Sequence, residues 1–364
     1  MSTSTKPAAQ TLDTQALGDV REQLESWAKD LGFDALGVAD AELTQPEQHL
    51  QAWLDAGHHG EMSWMQSHGS KRTHPDELVP GTVRVITVRM NYLSTTQGEA
   101  LSNLADPERA YIARYALGRD YHKLIRKRLQ RLATRLEDTV GPTGYRVFCD
   151  SAPVLEKPLA AKAGLGWVGK HSLVLDRTAG SWFFLGEIYT DLPLPIDAPA
   201  SAHCGSCTRC IDVCPTQAIV APYQLDARRC IAYLTIEHSG PIPEPLRPLI
   251  GNRVFGCDDC QLVCPWNRHA QRSREAAFLP REALLAPQLV ELFAWSEQRF
   301  LNETEGNPLR RVGYAGFLRN VAVALGNAPR SARVYAALAG RSRHASELVR
   351  EHVHWALKRQ TPNG

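Results

Sequence analysis

Eight of the nine cysteines in this 364-residue chain lie between Cys204 and Cys264, and the first four are spaced Cys204-x2-Cys207-x2-Cys210-x3-Cys214, with Pro215 directly after. In such a run three thiolates wrap one inorganic 4Fe-4S cube, and the fourth, turned away at the proline, reaches a second cube. A second run must supply the remaining ligands. Cys257-x2-Cys260-x3-Cys264-Pro265 fills three of its positions, and Cys230, the one cysteine between the runs, fills the fourth. The sets then close without remainder: Cys204, Cys207, Cys210 and Cys264 for one cube, and Cys214, Cys230, Cys257 and Cys260 for the other. Ile211, Val213, Ala218, Ile219, Leu262 and Val263 are expected to supply the apolar surroundings that limit solvent access. Zinc sites favour isolated CxxC pairs, and disulfides need an oxidising secretory context, whereas a reducing cytoplasm is expected here.

The length exceeds one ordinary domain, and 43% hydrophobic content is enough to fill two or three cores. Residues 1–15 are expected as a frayed tail, 16–195 as an α/β domain, 196–268 as a ferredoxin-like two-cluster domain and 269–364 as helical, an α+β fold overall. No apolar stretch reaches membrane-spanning length, so a cytoplasmic protein without membrane contact is expected. Net charge is only +2 but unevenly spread: from Trp266 to Gly364 fifteen Lys/Arg face eight Asp/Glu, and from Arg109 to Arg135 nine basic residues meet one acid, Asp120. Tyr121, Leu124, Ile125, Leu129, Leu132 and Leu136 follow helical spacing. Lys123, Arg126, Lys127, Arg131 and Arg135 occupy much of the opposite face, a stripe suited to phosphates or simply to water.

Leu17, Val20, Leu24, Trp27 and Leu31 mark an opening amphipathic helix, followed by a strand at 35–38. Pro46 opens a second helix that Gly57 and Gly60 end. Strands are expected at 83–88, 145–148 and 182–185, a polar surface loop from Ser94 to Pro107, and a helix from Pro153 to Ala163 capped by Ser151. Phe317, Val321, Leu325, Val334, Leu338, Leu348, Val349 and Trp355 repeat on helical faces, like a pair of helical repeats too short to stand alone.

Two motifs mislead. Gly164-Leu-Gly166-Trp-Val-Gly169 has dinucleotide-loop spacing but follows a helix, where that loop needs a strand, so its glycines serve another close approach. Asp120-Tyr121-His122 begins like the motif that offers cobalt a histidine, but Ile125 stands where the motif has glycine.

Taken together, GlyHisHisGlyGluMet at 57–62, GlyArgAspTyrHis at 118–122, CysAspSerAlaProValLeuGluLys at 149–157, GlyLeuGlyTrpValGlyLys at 164–170, SerTrpPhePheLeuGlyGluIle at 181–188, TyrLeuThrIleGluHis at 233–238 and the cysteines resemble the epoxyqueuosine reductase family over most of the chain. The resemblance implies a base-off cobalamin between a reductase-like domain and the cluster domain, with the clusters feeding cobalt. The reaction it implies is reduction of the epoxide of epoxyqueuosine in tRNA to the alkene of queuosine, the last step of queuosine synthesis. It implies Asp150 as proton donor, its carboxyl raised by burial at a strand end, and Arg72, Lys170, His171, Ser172, Glu237, His238 and Ser239 as cofactor contacts alongside it. The expected partners are Tyr, His, Asn and Asp tRNAs and an electron donor such as flavodoxin or ferredoxin, with the protein a monomer. Cys149 is expected as a buried free thiol, and Ile112-Ala113-Arg114 stands where some family members place a cysteine near cobalt. The rival reading is a corrinoid-dependent reductive dehalogenase, against which stand the basic stripes and the lack of a twin-arginine signal.

Overall fold

The computed structural model describes residues 12–361. Asp13 caps the opening helix, α1 (Thr14–Asp30), by accepting the Ala16 N–H. The helix therefore begins inside the span read as a tail, and the remainder of that reading, residues 1–11, lies outside the described residues. Leu17, Val20, Leu24 and Ala28 of α1 are buried against a four-stranded antiparallel sheet. Its strands, β1 (Ala35–Asp40), β2 (Arg84–Asn91), β3 (Tyr145–Phe148) and β4 (Phe183–Thr190), lie in the order β1-β2-β4-β3. The two central strands, β2 and β4, are almost wholly buried and accordingly rich in Val, Ile and Phe.

The basic helix, α3 (Tyr121–Val140), buries Tyr121, Ile125, Leu129, Leu132, Ala133, Leu136 and Val140, and Lys123, Arg126, Lys127, Arg131 and Arg135 are exposed. The segment read as a loop at 94–107 contains a helix, α2 (Gln97–Ala105). Thr96 and Glu99 form a reciprocal capping box there, a short-range signal strong enough to order a polar stretch. The helix after Asp150 is shorter than expected: α4 (Glu156–Lys162) has Leu155 at its N-cap with no side-chain cap bond. Ser151 instead accepts a bond from Arg126 at 2.6 Å. Past Gly164 the chain makes a small hairpin, Trp167–Val168 against Val174–Leu175. A Cβ on Gly166 would strike the Leu175 carbonyl, so that glycine serves hairpin packing.

The C-terminal helices α6 (Gly313–Asn327), α7 (Ala332–Ala339) and α8 (Glu347–Gln360) do not form a core of their own. Phe317, Val321, Leu325 and Val353 share one hydrophobic cluster with Ile112, Ile231, Leu234 and Phe255. The segment containing these last two, including α5 (Ile231–Ile236), is further fixed by fully buried Arg319. Its guanidinium donates to the carbonyls of Leu234, His238 and Gly240, while Asn320 donates to those of Thr235 and Val254. No helix among the described residues is long and apolar enough to cross a membrane.

Candidate functional site

The cysteine-rich segment folds so that residues distant in sequence meet. Cys204, Cys207, Cys210 and Cys264 line one cavity together with Lys170, His171, Arg209 and Trp266. No three His, Cys, Asp or Glu side chains among the described residues converge tightly enough to hold a single metal ion. Four thiols splayed around one space suit a cube of irons. In the other set, Cys230 lies within electrostatic reach of Cys214 and of Cys260, and Cys260 also reaches Cys210 across to the first set. Backbone amides turn towards these sulfurs, as where Ala218 donates to Cys214 Sγ at 3.2 Å. Such amides stabilise thiolate ligands and tune potential.

Lys170 was expected at the corrinoid, but its ammonium donates to the carbonyls of Gly205 and Cys207, at 2.7 and 3.0 Å. It therefore clamps the first cysteine loop. Buried His171 accepts the Leu173 N–H on Nδ1 and leaves Nε2 without a partner. Burial, helped by Lys157, pushes its imidazole down to about 4, so it is neutral. Ser172 accepts the Lys157 ammonium on its carbonyl at 2.8 Å. Lys157 in turn lies within reach of Asp150 on one side and of Cys230 and Cys260 on the other.

Asp150 follows β3 in a strained conformation, φ +58°. It is ringed by protein, yet 46% of its side chain reaches solvent. The expectation that burial raises its carboxyl is overturned. Desolvation does push upward, but His122 and the Tyr121 hydroxyl, both bonding Oδ2, prevail and hold the group below the ordinary aspartate value. The His122 imidazole lies 3.3 Å from Asp150 through Nε2 and 2.7 Å from Asp120 through Nδ1. Burial would lower its pKa, but these two carboxylates raise it to about 9, so His122 is an imidazolium at neutral pH. With both nitrogens engaged it cannot ligate cobalt. Its sequence signal is Asp120-Tyr121-His122 itself, which caps and opens α3 and which hydrogen bonding, not metal ligation, explains.

The loop 237–239 closes the other side. His238 contacts Glu61 at 3.1 Å, Ser239 N–H donates to Glu61 at 3.2 Å, and the Glu61 N–H donates to the Tyr233 hydroxyl at 2.8 Å. These bonds stitch the GlyHisHisGlyGluMet turn to the segment between Cys230 and Cys257. Glu237 pairs with Arg311 at 2.8 Å, and Arg311 also acts on Asp150. Arg311, from the C-terminal region, was not foreseen. Arg72 is buried, donating to the Trp64 carbonyl at 2.9 Å with Nε unpartnered. Cys149 is fully buried and free, its thiol pushed up chiefly by desolvation.

Residues 203–267 match the family described as a 4Fe-4S double cluster binding domain, and residues 72–151 that described as epoxyqueuosine reductase QueG, DUF1730. The chain is 59% identical to the epoxyqueuosine reductase of Pseudomonas aeruginosa over 97% of its own length and 98% of that protein. It is 54% identical to that of Escherichia coli, over 94% and 90%. Among solved structures, epoxyqueuosine reductase from Bacillus subtilis with its catalytic aspartate loop swung out of the active site matches at TM-score 0.86 and 28% identity, covering 94% of this chain and 91% of that one. An epoxyqueuosine reductase bound to an epoxyqueuosine-modified tRNA-Tyr stem loop matches at TM-score 0.84 and 27% identity, with the same coverage.

Proposed function

The chain belongs to the epoxyqueuosine reductase family and is an oxidoreductase, and from that premise we propose that it reduces the epoxide of epoxyqueuosine in tRNA to the alkene of queuosine. The conversion takes two electrons and two protons and expels the epoxide oxygen as water. The observation that carries the reading is Lys157, which lies within electrostatic reach both of Asp150 and of Cys230 and Cys260, so one cation links the proposed electron path to the acid site.

The residues fit a corrinoid. His59 Nδ1, Arg72 Nε and His171 Nε2 are buried polar atoms without partners, available to a polar periphery such as that of cobalamin. Ser172, Glu237, His238 and Ser239 are further contacts in this reading, and the engaged His122 leaves base-off binding. When bound, cobalamin supplies strongly reducing cobalt to the epoxide carbon.

The chain's own residues handle the proton. His122 stores it, Asp120 orients the ring, and Tyr121 fixes Asp150 Oδ2. Asp150 accepts the imidazolium proton and passes it to the leaving oxygen, and once His122 is reprotonated from solvent the same relay delivers the second proton, so that the oxygen leaves as water. Asp150 is thus the last carrier, with the resident proton on its neighbour. Arg311 and the exposed cations of α3 provide positive charge for tRNA phosphates. Electrons enter at the Cys204–Cys264 set, which shares its cavity with Lys170, from a small carrier such as flavodoxin or ferredoxin, and the protein acts as a monomer in the cytoplasm.

The test is mass spectrometry of nucleosides from epoxyqueuosine-bearing tRNA before and after incubation with reduced, cluster- and cobalamin-loaded protein. Queuosine should replace its epoxide one for one, and an unchanged epoxide would sink the reading.

A further inference from the structure

Behind the Asp150 loop stands a buried carboxyl group that faces a second carboxyl instead of a donor. Glu187 lies on β4 opposite Phe148, the last strand residue before Cys149 and Asp150, and opposite Thr87 of β2 on its other side. It is fully buried, and neither oxygen has a hydrogen-bond donor within reach; the Thr87 hydroxyl beside it is unpartnered too. Its neighbour is Glu156, the first residue of α4. Glu156 Oε1 accepts the backbone N–H of Asp150 at 2.6 Å. Asp150 sits in the left-handed region, which an aspartate tolerates better than most residues but which still costs energy and is held by bonds around it. The Glu156 bond is such a tie.

Two carboxylates facing one another without a donor between them are tolerated only when they share a proton. Burial first, and then the charge of Glu156, pushes Glu187 far above the ordinary range. Burial and the charge of Asp150 push Glu156 up to about 7. The other ionisable groups facing the pair are Asp150, Cys149, Lys157, Tyr189 and Arg72. Of these only Lys157 and Arg72 are cations, and neither forms an ion pair with Glu156 or Glu187, so the shared proton is what makes the pair tenable.

We propose that Glu187 and Glu156 are positioning residues: Glu187, as the neutral acid, donates to Glu156, and Glu156, as the carboxylate, holds the Asp150 N–H and with it the turn that aims the Asp150 side chain. The inference rests on Asp150 as the last proton carrier. The latch is weakened when Glu156 takes up a proton, so it loosens as pH falls through about 7.

The test uses cluster- and cobalamin-loaded protein with epoxyqueuosine-bearing tRNA and measures kcat against pH. In the native protein kcat should fall on the acid side of about pH 7. Glu156→Gln, which cannot ionise, should lose that limb and run about tenfold slower on the alkaline side, with KM for tRNA unchanged. Glu187→Gln keeps a donor that cannot ionise, so its limb should persist at lower pH. Deuterium exchange of the peptide carrying Asp150 should quicken in Glu156→Ala with iron and cobalamin content unchanged. A native pH limb in Glu156→Gln, or undisturbed exchange in Glu156→Ala, would overturn the proposal. Exchange reads the latch without turnover, so full activity of Asp150→Asn would remove the proton-carrier reading while the latch remained measurable.

Discussion

The two halves of the site are built in opposite ways. The cysteine segment draws seven of its eight proposed ligands from two short runs whose turns set the sulfur spacing, and backbone amides and one lysine tie those turns to their neighbours. The acid site has no such local frame. Asp150 comes from the end of β3, Tyr121 and His122 from the start of α3, Glu156 from α4 and Glu187 from β4, and the whole is closed by Arg311 from the C-terminal region. Electrons pass between fixed inorganic centres, so a rigid local scaffold suffices. In the reaction proposed above a proton is held on one atom and released to another, which calls on carboxylates, an imidazolium and a strained turn whose balance only tertiary packing can set.

Removing a ligand should give the largest effect. Cys264→Ser should empty the first cluster and Cys230→Ser the second, each lowering iron from about eight to about four per chain and abolishing turnover. Retention of eight irons in Cys230→Ser would break the assignment of that cysteine. On the proton side, His122→Gln should lower kcat about 10- to 100-fold without changing iron content. It should also abolish the decline in native activity expected as pH rises through about 9, where the imidazolium loses its proton. Persistence of that decline in the variant would move the proton store elsewhere. The smallest effect belongs to the surface: alanine at Lys123, Lys127 or Arg131 should weaken tRNA binding a few-fold and reduce the slope of log affinity against log salt by about one each. An unchanged slope would assign that face to solvent alone.

What the sequence disclosed follows the same division. Cysteine spacing is a local property, so the two proposed ligand sets follow from the runs and Cys230 alone, and the structure brings Cys204, Cys207, Cys210 and Cys264 to one cavity. The amphipathic stripe of the basic helix likewise named its buried face nearly residue by residue. The acid site was legible only in part. Asp150 could be named from the motif around it, but its ionisation could not, because that depends on Tyr121 and His122 arriving from 28 or 29 positions away. Glu187 reads in sequence as one acid in a buried strand, and nothing local reveals that it faces Glu156. Lys170 shows the converse: its motif suggested a cofactor contact, and packing gave it to the first cysteine loop.

The most direct measurement is a single turnover of anaerobically pre-reduced, cobalamin-loaded protein, comparing native and Asp150→Asn. Cluster reoxidation would be followed by absorbance and queuosine by mass spectrometry. Asp150→Asn should take up the same electrons and bind the same tRNA, yet form queuosine at least about a hundredfold more slowly. Queuosine appearing at the native rate in that variant would contradict the separation of electron supply from proton supply on which the account stands.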